Sequence, residues 1–264
     1  MNKNIIFFDI DGTLVSEKTH TVCDSAKKAL KMAKEKGNLI FINTGRPVSE
    51  IDDELRKLDF DGYICGCGTY IEYEGKVLFY KGLGNNLSKK VASELKELKI
   101  DGILEGRNDI YYDREENIKS SEVKRILKEH RRAGFYKGSL WDDSNINFDK
   151  FVVWYEKEEQ FKKLYEEFSN LFDFIHRDDK FYEIVPKGFS KATGIRDVIK
   201  LLDIPKENTY SLGDSTNDLE MLEFSEHSIA MGNSHKKLFD ICSYVTDDIE
   251  ENGIYNALEH YSLI

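Results

Sequence analysis

Short apolar runs alternate along the chain with segments in which apolar residues recur at helical spacing. Ile5 to Phe8 contains no polar position, which is typical of a strand buried on both faces of a parallel sheet. Residues 24–37 then show apolar residues every three or four positions and end on glycine, so they predict an amphipathic helix. Residues 38–43 form a second apolar run. This strand, helix, strand order predicts a βαβ unit, whose two strands end at the same edge of one sheet.

The next segment predicts a helix, a strand and a hairpin. Pro47 suits the first turn of a helix, and this helix would have an apolar stripe of Val48, Ile51, Leu55 and Leu58. Gly62 to Cys65 predicts a third short strand. Residues 69–80 alternate around Glu74-Gly75, which indicates a β-hairpin rather than another helical crossover.

The pattern changes between residues 82 and 187, which are richer in Tyr, Phe and charge. About a hundred residues are enough for a small domain. The predicted elements are helices near 91–98, 123–130 and 158–172, a strand at 151–155, and two strands ending at Val185. These elements predict an inserted α+β domain, with its helices on one face of its sheet and an irregular loop at 134–149.

Residues 188–264 return to the alternation of the first segment. A helix opens at Lys191, and residues 208–212 predict a strand. A helix near residue 220, strands at 228–231 and 244–246, and a final helix from Glu251 follow. Together with residues 1–81, they predict an α/β core with a doubly wound, Rossmann-like parallel sheet, into which residues 82–187 are inserted.

Composition and charge narrow the function classes. A formal charge of -11 argues against nucleic acid or a membrane surface as partner, because either would need a basic face. The four cysteines form no disulfide framework and no metal-ligand spacing. No apolar run approaches the ~20 residues of a membrane span, and no basic leader precedes a long apolar segment. These features favour a cytoplasmic enzyme that acts on small molecules. We expect it to be either a monomer or a weak homodimer.

Polar residues with related chemistry follow the predicted strand ends. They are Asp9, Asp11, Thr44, Lys191, Asp214, Asn217 and Asp218. Carboxylates suit a small hard cation such as Mg²⁺, while a hydroxyl, an ammonium and loop amides suit the oxygens of a phosphoryl group. Structural roles remain possible, since Thr44 could cap a helix, Lys191 could be solvated, and Asp218 could complement a helix dipole.

Four motifs occur in an order that resembles the haloacid dehalogenase (HAD) superfamily phosphatases of the Cof-type group. They are Asp9-Ile10-Asp11-Gly12-Thr13, Thr44-Gly45-Arg46, Lys191 within Lys187-Gly188-Phe189-Ser190-Lys191, and Gly213-Asp214-Ser215-Thr216-Asn217-Asp218. With Ala230-Met231-Gly232-Asn233, the resemblance covers both core segments. It implies a HAD-like core with a cap domain at residues 82–187, and an Mg²⁺-dependent phosphatase of small phosphorylated metabolites.

The resemblance also implies a role for each matching residue. Asp9 would be the nucleophile that forms an aspartyl-phosphate and would bind Mg²⁺; Asp11 would bind Mg²⁺ through its backbone carbonyl and act as general acid and base. Asp214 would be the third protein ligand of the metal. Thr44, Gly45, Lys191 and Asn217 would hold the phosphoryl group, and Asp218 would orient Lys191 or a ligand water. Arg46 would be a surface or cap-facing residue.

Two positions depart from the family pattern. Ser215 stands where the family often has glycine, and Cys67-Gly68 stands where it often has Asn-Gly. The second departure leaves unassigned which residue faces the substrate at that position. A phosphomutase of the same superfamily and a non-catalytic phospho-ligand sensor are the alternative functions. The motifs do not select among sugar phosphates, nucleotides and vitamin phosphates.

Overall fold

The computed structural model describes residues 3–264, and the chain divides into two compact units. The first unit comprises the chain up to Gly45, then Asp52–Phe79 and Phe189–Ile264. The second comprises Arg46–Ile51 and Tyr80–Gly188. The chain therefore passes between the units at residues 45–46, 51–52, 79–80 and 188–189. Arg46–Ile51, which the sequence analysis assigned to the core, groups with the insert.

The strands and helices are numbered in chain order. The strands are β1 (Ile5–Phe8), β2 (Leu39–Asn43), β3 (Gly62–Cys65), β4 (Tyr70–Tyr73), β5 (Lys76–Tyr80), β6 (Asp101–Glu105), β7 (Ile110–Tyr111), β8 (Lys150–Trp154), β9 (Phe172–Asp178), β10 (Phe181–Pro186), β11 (Thr209–Gly213), β12 (His227–Ala230) and β13 (Tyr244–Val245). The helices are α1 (Asp24–Glu35), α2 (Asp53–Arg56), α3 (Asn85–Leu98), α4 (Ser121–Ala133), α5 (Glu158–Phe168), α6 (Lys191–Leu201), α7 (Leu219–Phe224) and α8 (Gly253–His260). No helix within residues 3–264 combines the length and apolar character needed to cross a bilayer.

The first sheet has eight strands in the order β13-β12-β11-β1-β2-β3-β4-β5. β1 lies between β11 and β2 and is parallel to both, with Ile5 opposite Thr209 and Leu39. β3, β12 and β13 continue the parallel arrangement, whereas β4 runs antiparallel to β3. The predicted α/β fold is confirmed. The carboxyl ends of β1, β2, β3 and β11 consequently meet at one edge of the sheet.

Helices cover both faces of this sheet, as expected for strands with so few polar residues: β1 has none, and β2 has only Asn43 at its end. Ile5 and Phe7 pack in one core cluster with residues of α6 and α7. Ile6 and Phe8 are equally buried and point to the other face, since side chains alternate along a strand. On that face α1 contacts β2 and α8. β1 has no polar side chain, so it is most stable at the centre of the unit, where neither of its faces meets solvent.

The helix predicted after Pro47 is wrong in its extent. Val48–Glu50 forms one 3-10 turn, Ile51 is extended, and only Asp53–Arg56 is α-helical. The interruption follows from Asp52, whose carboxylate accepts the backbone N–H of Leu55 at 2.8 Å and so starts a separate helix. The apolar stripe reflects burial in a non-helical segment rather than one helix face.

The second unit contains a five-stranded antiparallel sheet in the order β7-β6-β8-β10-β9. Phe151 and Val153 pack with residues of α3 and α5. Val152, on the opposite face, packs with residues of α4. The expectation that all helices lie on one face was therefore wrong. β8 is apolar at consecutive positions, which is the pattern of a strand covered on both faces.

Candidate active site

Asp9 stands at the mouth of the sheet because it directly follows β1. Its backbone N–H donates to the carbonyl of Leu212 on β11 at 3.1 Å, and only 3% of the residue is exposed. The chain then turns, and Gly12 N–H donates to Val15 O at 2.9 Å. Gly12 has φ +78°, and a Cβ there would lie 2.3 Å from Asp214 Oδ2. Glycine therefore permits both the turn and the close approach to Asp214.

The Lys191 ammonium bridges two buried carboxylates. Its Nζ lies 2.6 Å from Asp9 Oδ1 and 2.6 Å from Asp218 Oδ1. Lys191 is the first residue of α6, which begins here because Ser190 and Thr193 form a reciprocal capping box. The Ser190 hydroxyl accepts from Thr193 N–H, and Thr193 Oγ1 accepts from Ser190 N–H at 2.8 Å. The capping box thus delivers Lys191 to the strand ends.

Asp214 and Asp218 follow β11 and form one hydrogen-bonded loop. Asp218 Oδ2 accepts the backbone N–H groups of Asp214 at 3.0 Å and Ser215 at 3.1 Å. Asp214 Oδ1 accepts from the Thr13 hydroxyl at 3.1 Å. Asp218, which is fully buried, therefore pairs with Lys191 and also fixes the backbone that carries Asp214.

Crowding of these acids changes their ionisation. Burial and the neighbouring Asp218 raise the pKa of Asp9 to about 8, against the opposing effect of Lys191. The same two causes raise the pKa of Asp214 to about 7. Burial acts to lower the pKa of Lys191, but Asp218 and Asp9 outweigh it and raise that pKa. Three acids around one ammonium thus carry an excess of negative charge that a divalent cation would neutralise.

The donor set fits Mg²⁺. Carboxylate oxygens of Asp9, Asp214 and Asp218 lie within 4.8 Å of one another. Asp9 accepts from Lys191 through Oδ1 and Asp214 accepts from Thr13 through Oδ1, whereas both oxygens of Asp218 are engaged by Lys191 and the loop amides. Oxygen ligands with room for water are what this ion requires. Asp9 and Asp214 are consequently the side chains able to hold it, and Asp218 supports them.

The other candidate residues lie in the loops at the same edge. Phe8 is opposite Ile42, so Asn43 is in register with Asp9 and Thr44 lies one residue beyond it. Thr44 is 2% exposed, and its carbonyl accepts from Cys67 N–H at 3.2 Å. Gly45 follows Thr44 directly, and the Asp11 side chain is exposed. The structure therefore brings Asp9, Lys191, Asp214 and Asp218 into direct contact or close proximity, with Asp11, Thr44 and Gly45 in flanking loops.

Asn217 is held through its carbonyl oxygen. This oxygen accepts from the Ser215 hydroxyl, within the loop that carries Asp214. The amide NH₂ of Asn217 therefore remains the group available to an anion. Ser215, the first departure from the family pattern, thus orients a neighbouring amide that glycine could not hold.

Sequence reasoning assigned no role to Asn233, which supports the opening loop. Its amide NH₂ donates to Gly12 O at 2.8 Å, and its Oδ1 accepts from Ile249 N–H at 3.0 Å. Asn233 lies three residues after β12, so it reaches the same sheet edge as Asp9. Its place after a predicted strand end was the signal that could have identified it.

Comparisons with known proteins identify the family of this chain. A family model described as haloacid dehalogenase-like hydrolase matches residues 6–258. YkrA of Bacillus subtilis (strain 168) is 28% identical over 274 residues, with 100% of each chain covered. Phosphatase YwpJ of the same strain is 25% identical over 283 residues, covering 97% of this chain and 99% of its own.

A solved structure extends the similarity to three dimensions. The HAD subclass IIB sugar phosphatase BT4131 has a TM-score of 0.83 to this chain at 29% identity, with 99% of this chain and 100% of that chain covered. The resemblance inferred from the four motifs is thereby confirmed. Because the family model spans most of the chain, this protein belongs to the haloacid dehalogenase-like hydrolases.

Proposed function

We propose that this hydrolase is an Mg²⁺-dependent phosphatase that acts on small phosphorylated metabolites through an aspartyl-phosphate on Asp9. The observation that carries the proposal is the Lys191 ammonium, which lies 2.6 Å from Asp9 and from Asp218. The names of YwpJ, a phosphatase, and BT4131, a sugar phosphatase, support this class of reaction. Sugar phosphates are therefore the first substrates to test, followed by nucleotides and vitamin phosphates.

Asp9 is suited to nucleophilic attack because it is fixed at the end of a buried strand. In the first step, a carboxylate oxygen of Asp9 would form a bond to phosphorus while the bond to the leaving oxygen breaks. The Lys191 ammonium would reduce the repulsion between this carboxylate and the phosphoryl oxygens. Mg²⁺, held by Asp9, Asp214 and the Asp11 carbonyl, would supply further neutralisation of the phosphoryl charge.

Asp11 is suited to proton transfer because its side chain is exposed and two residues beyond the nucleophile. It would protonate the leaving alkoxide in the first step and take a proton from water in the second. Attack of that water on phosphorus would break the acyl-phosphate bond, release inorganic phosphate and restore the Asp9 carboxylate. Thr44, the Gly45 amide and the NH₂ group of Asn217 would hold the phosphoryl oxygens.

Phosphate release and covalent trapping test this proposal. Wild-type protein should release phosphate from p-nitrophenyl phosphate, lose this activity with chelator and regain it with Mg²⁺. Asp9→Asn should abolish activity, whereas Asp11→Asn should lose about 10²–10⁴-fold because only acid–base assistance is removed. In rapid-quench experiments, wild type and Asp11→Asn should carry phosphate on Asp9. Label on Asp11, or full activity without metal, would contradict the assignment, and binding without turnover would favour a sensor.

The insert at residues 82–187 is proposed to act as a cap that closes during the first step and opens for the second. Its position between the second and third motifs supports this role, as does Gly188 at the boundary where the chain returns to the first unit, which can serve as a hinge. Small-angle X-ray scattering with Mg²⁺ and orthovanadate should show a smaller radius of gyration than the free protein. An unchanged radius at saturating orthovanadate would contradict closure.

A cytoplasmic location is also part of the proposal, and cell fractionation tests it.

A further inference from the structure

Asn43 is a buried polar residue at the end of an otherwise apolar strand. It closes β2, whose sequence is Leu-Ile-Phe-Ile-Asn, and none of its surface is exposed. Its Nδ2 donates to the backbone carbonyl of Lys191 at 3.1 Å and lies 3.5 Å from Met221 Sδ. Its Oδ1 has no hydrogen-bond partner among residues 3–264. Asn43 thus connects the strand before Thr44 to the helix that begins with Lys191.

The orientation of the Asn43 amide follows from its partner. A backbone carbonyl only accepts hydrogen bonds, so the NH₂ group must face Lys191, and Oδ1 is left facing a site without a donor. A buried acceptor without a partner destabilises a folded protein. A leucine side chain has nearly the same shape and would avoid this cost. Asn43 therefore contributes to the structure through the hydrogen bond of its NH₂ group rather than through packing.

That contact acts on the first turn of α6, which is closely packed. A Cβ on Gly68 would lie 2.7 Å from the carbonyl oxygen of Ser190. A Cβ on Gly194 would lie 2.4 Å from Ile64 Cγ2. Backbone and glycine surfaces thus bring the helix start against β3 and the turn that follows it. Such surfaces are smooth, whereas the Asn43 hydrogen bond is a directional contact between β2 and this turn.

We propose that Asn43 is a positioning residue for Lys191. By fixing the Lys191 carbonyl, it holds the start of α6 where the ammonium meets Asp9 and Asp218 together, each at 2.6 Å. Two such short contacts tolerate little displacement, and misplacement by about 1 Å at a reacting group costs about 10²-fold in rate. The effect on turnover rests on the proposed phosphatase function, whereas the effect on α6 does not.

The decisive variant is Asn43→Leu, with Asn38→Leu as its matched control. Asn38 immediately precedes the same strand, is 8% exposed, and donates to the backbone carbonyl of Leu263 at 2.8 Å, away from the site. Its Oδ1 accepts from Asn4 Nδ2 at 3.1 Å, so both ends of this amide are paired. Asn43→Leu should lower kcat for p-nitrophenyl phosphate about 10- to 100-fold, with a smaller change in KM. Its urea midpoint should equal or exceed that of wild type, because the unpaired oxygen is gone. Asn38→Leu should lower the urea midpoint and leave kcat within about twofold.

Amide hydrogen exchange supplies a measurement independent of activity. The N–H of Ile195, four residues after Lys191 in α6, should exchange faster in Asn43→Leu than in wild type. Its exchange rate in Asn38→Leu should equal that of wild type. Unchanged kcat in Asn43→Leu, with an active wild type, would overturn the proposal. If wild type releases no phosphate while Ile195 exchange still rises in the variant, the proposed function fails and the positioning role stands. If the leucine variant does not fold, Asn43→Ala and Asn38→Ala are compared in the same way.

Discussion

The substitution Asp218→Asn tests the buried charge network most directly. Asp218 is fully buried, and its two oxygens accept three hydrogen bonds, one from Lys191 and two from the backbone of Asp214 and Ser215. Asparagine keeps the shape but has one oxygen. Its NH₂ group must therefore face either the ammonium or the two backbone N–H groups, and in both cases donors oppose donors.

The expected cost follows from these contacts. Removing one partner of a buried ion pair destabilises a protein by about 3–5 kcal/mol. Part of this is offset, because Asp218 raises the pKa of both Asp9 and Asp214 and its removal relieves that repulsion. We therefore expect the free energy of unfolding to fall by about 2–4 kcal/mol in metal-free buffer. Activity should fall as well, since the Asp214 loop and Lys191 both lose a fixed contact.

Urea unfolding measures this change. Trp141 and Trp154 both lie in the second unit, so tryptophan fluorescence reports that unit. Far-UV circular dichroism reports the helices and strands of both units, and is therefore needed to detect unfolding of the first. Glu220→Gln, an exposed acid on α7, removes the same charge without a buried contact and serves as control. A loss below about 1 kcal/mol in Asp218→Asn, at unchanged m-value, would refute the view that this pair is a buried and tightly coupled contact.

Three further substitutions test other parts of the structure. Burial lowers the pKa of His130 from 6.5 to about 4, so between these pH values His130 is protonated only in the unfolded chain. The free energy of unfolding should therefore fall as pH drops from 6.5 to 4. Between pH 7 and pH 5, the urea midpoint of His130→Gln should fall less than that of wild type. Burial acts to raise the pKa of Glu183, but Lys150 and Arg177 hold it well below its usual range. Lys150→Met removes one of these partners, so the free energy of unfolding measured in urea should fall by about 3 kcal/mol. Gly12→Ala would place its Cβ 2.3 Å from an Asp214 oxygen, and calorimetric titration should show at least about tenfold weaker Mg²⁺ binding than wild type. Unchanged acid sensitivity, stability or affinity, respectively, would contradict each expectation.

Much of the core could be predicted because its elements are strongly periodic. β1 and β2 are unbroken apolar runs, and parallel pairing then brings Asp9 and the residues after Asn43 to one edge. That geometry follows from chain connectivity, so no long-range contact had to be known. The segment after Pro47 failed because an apolar stripe at helical spacing reports burial, and Asp52 restarts the helix locally.

The finer parts of the site depend on contacts that local patterns do not contain. Asp218 reads as a helix-start acid in the sequence, yet its carboxylate joins Lys191, 27 residues away in the chain, to the Asp214 loop. Asn43 reads as the end of a strand, although its partner is the carbonyl of Lys191, 148 residues away. In both cases the side chain's role is decided by which residue tertiary packing places beside it.

The grouping of Arg46–Ile51 with the second unit has a consequence for exchanging modules between related chains. The Ser49 hydroxyl donates to the carbonyl of Gly106 at 2.8 Å, and Glu50 Oε1 lies 3.6 Å from His130 Nε2. A chimera that replaces only residues 80–188 would keep this short segment while removing the surface against which it folds. Transplanting the insert as an intact module therefore requires two separate pieces of sequence, and the shorter one begins immediately after the Thr44-Gly45 loop.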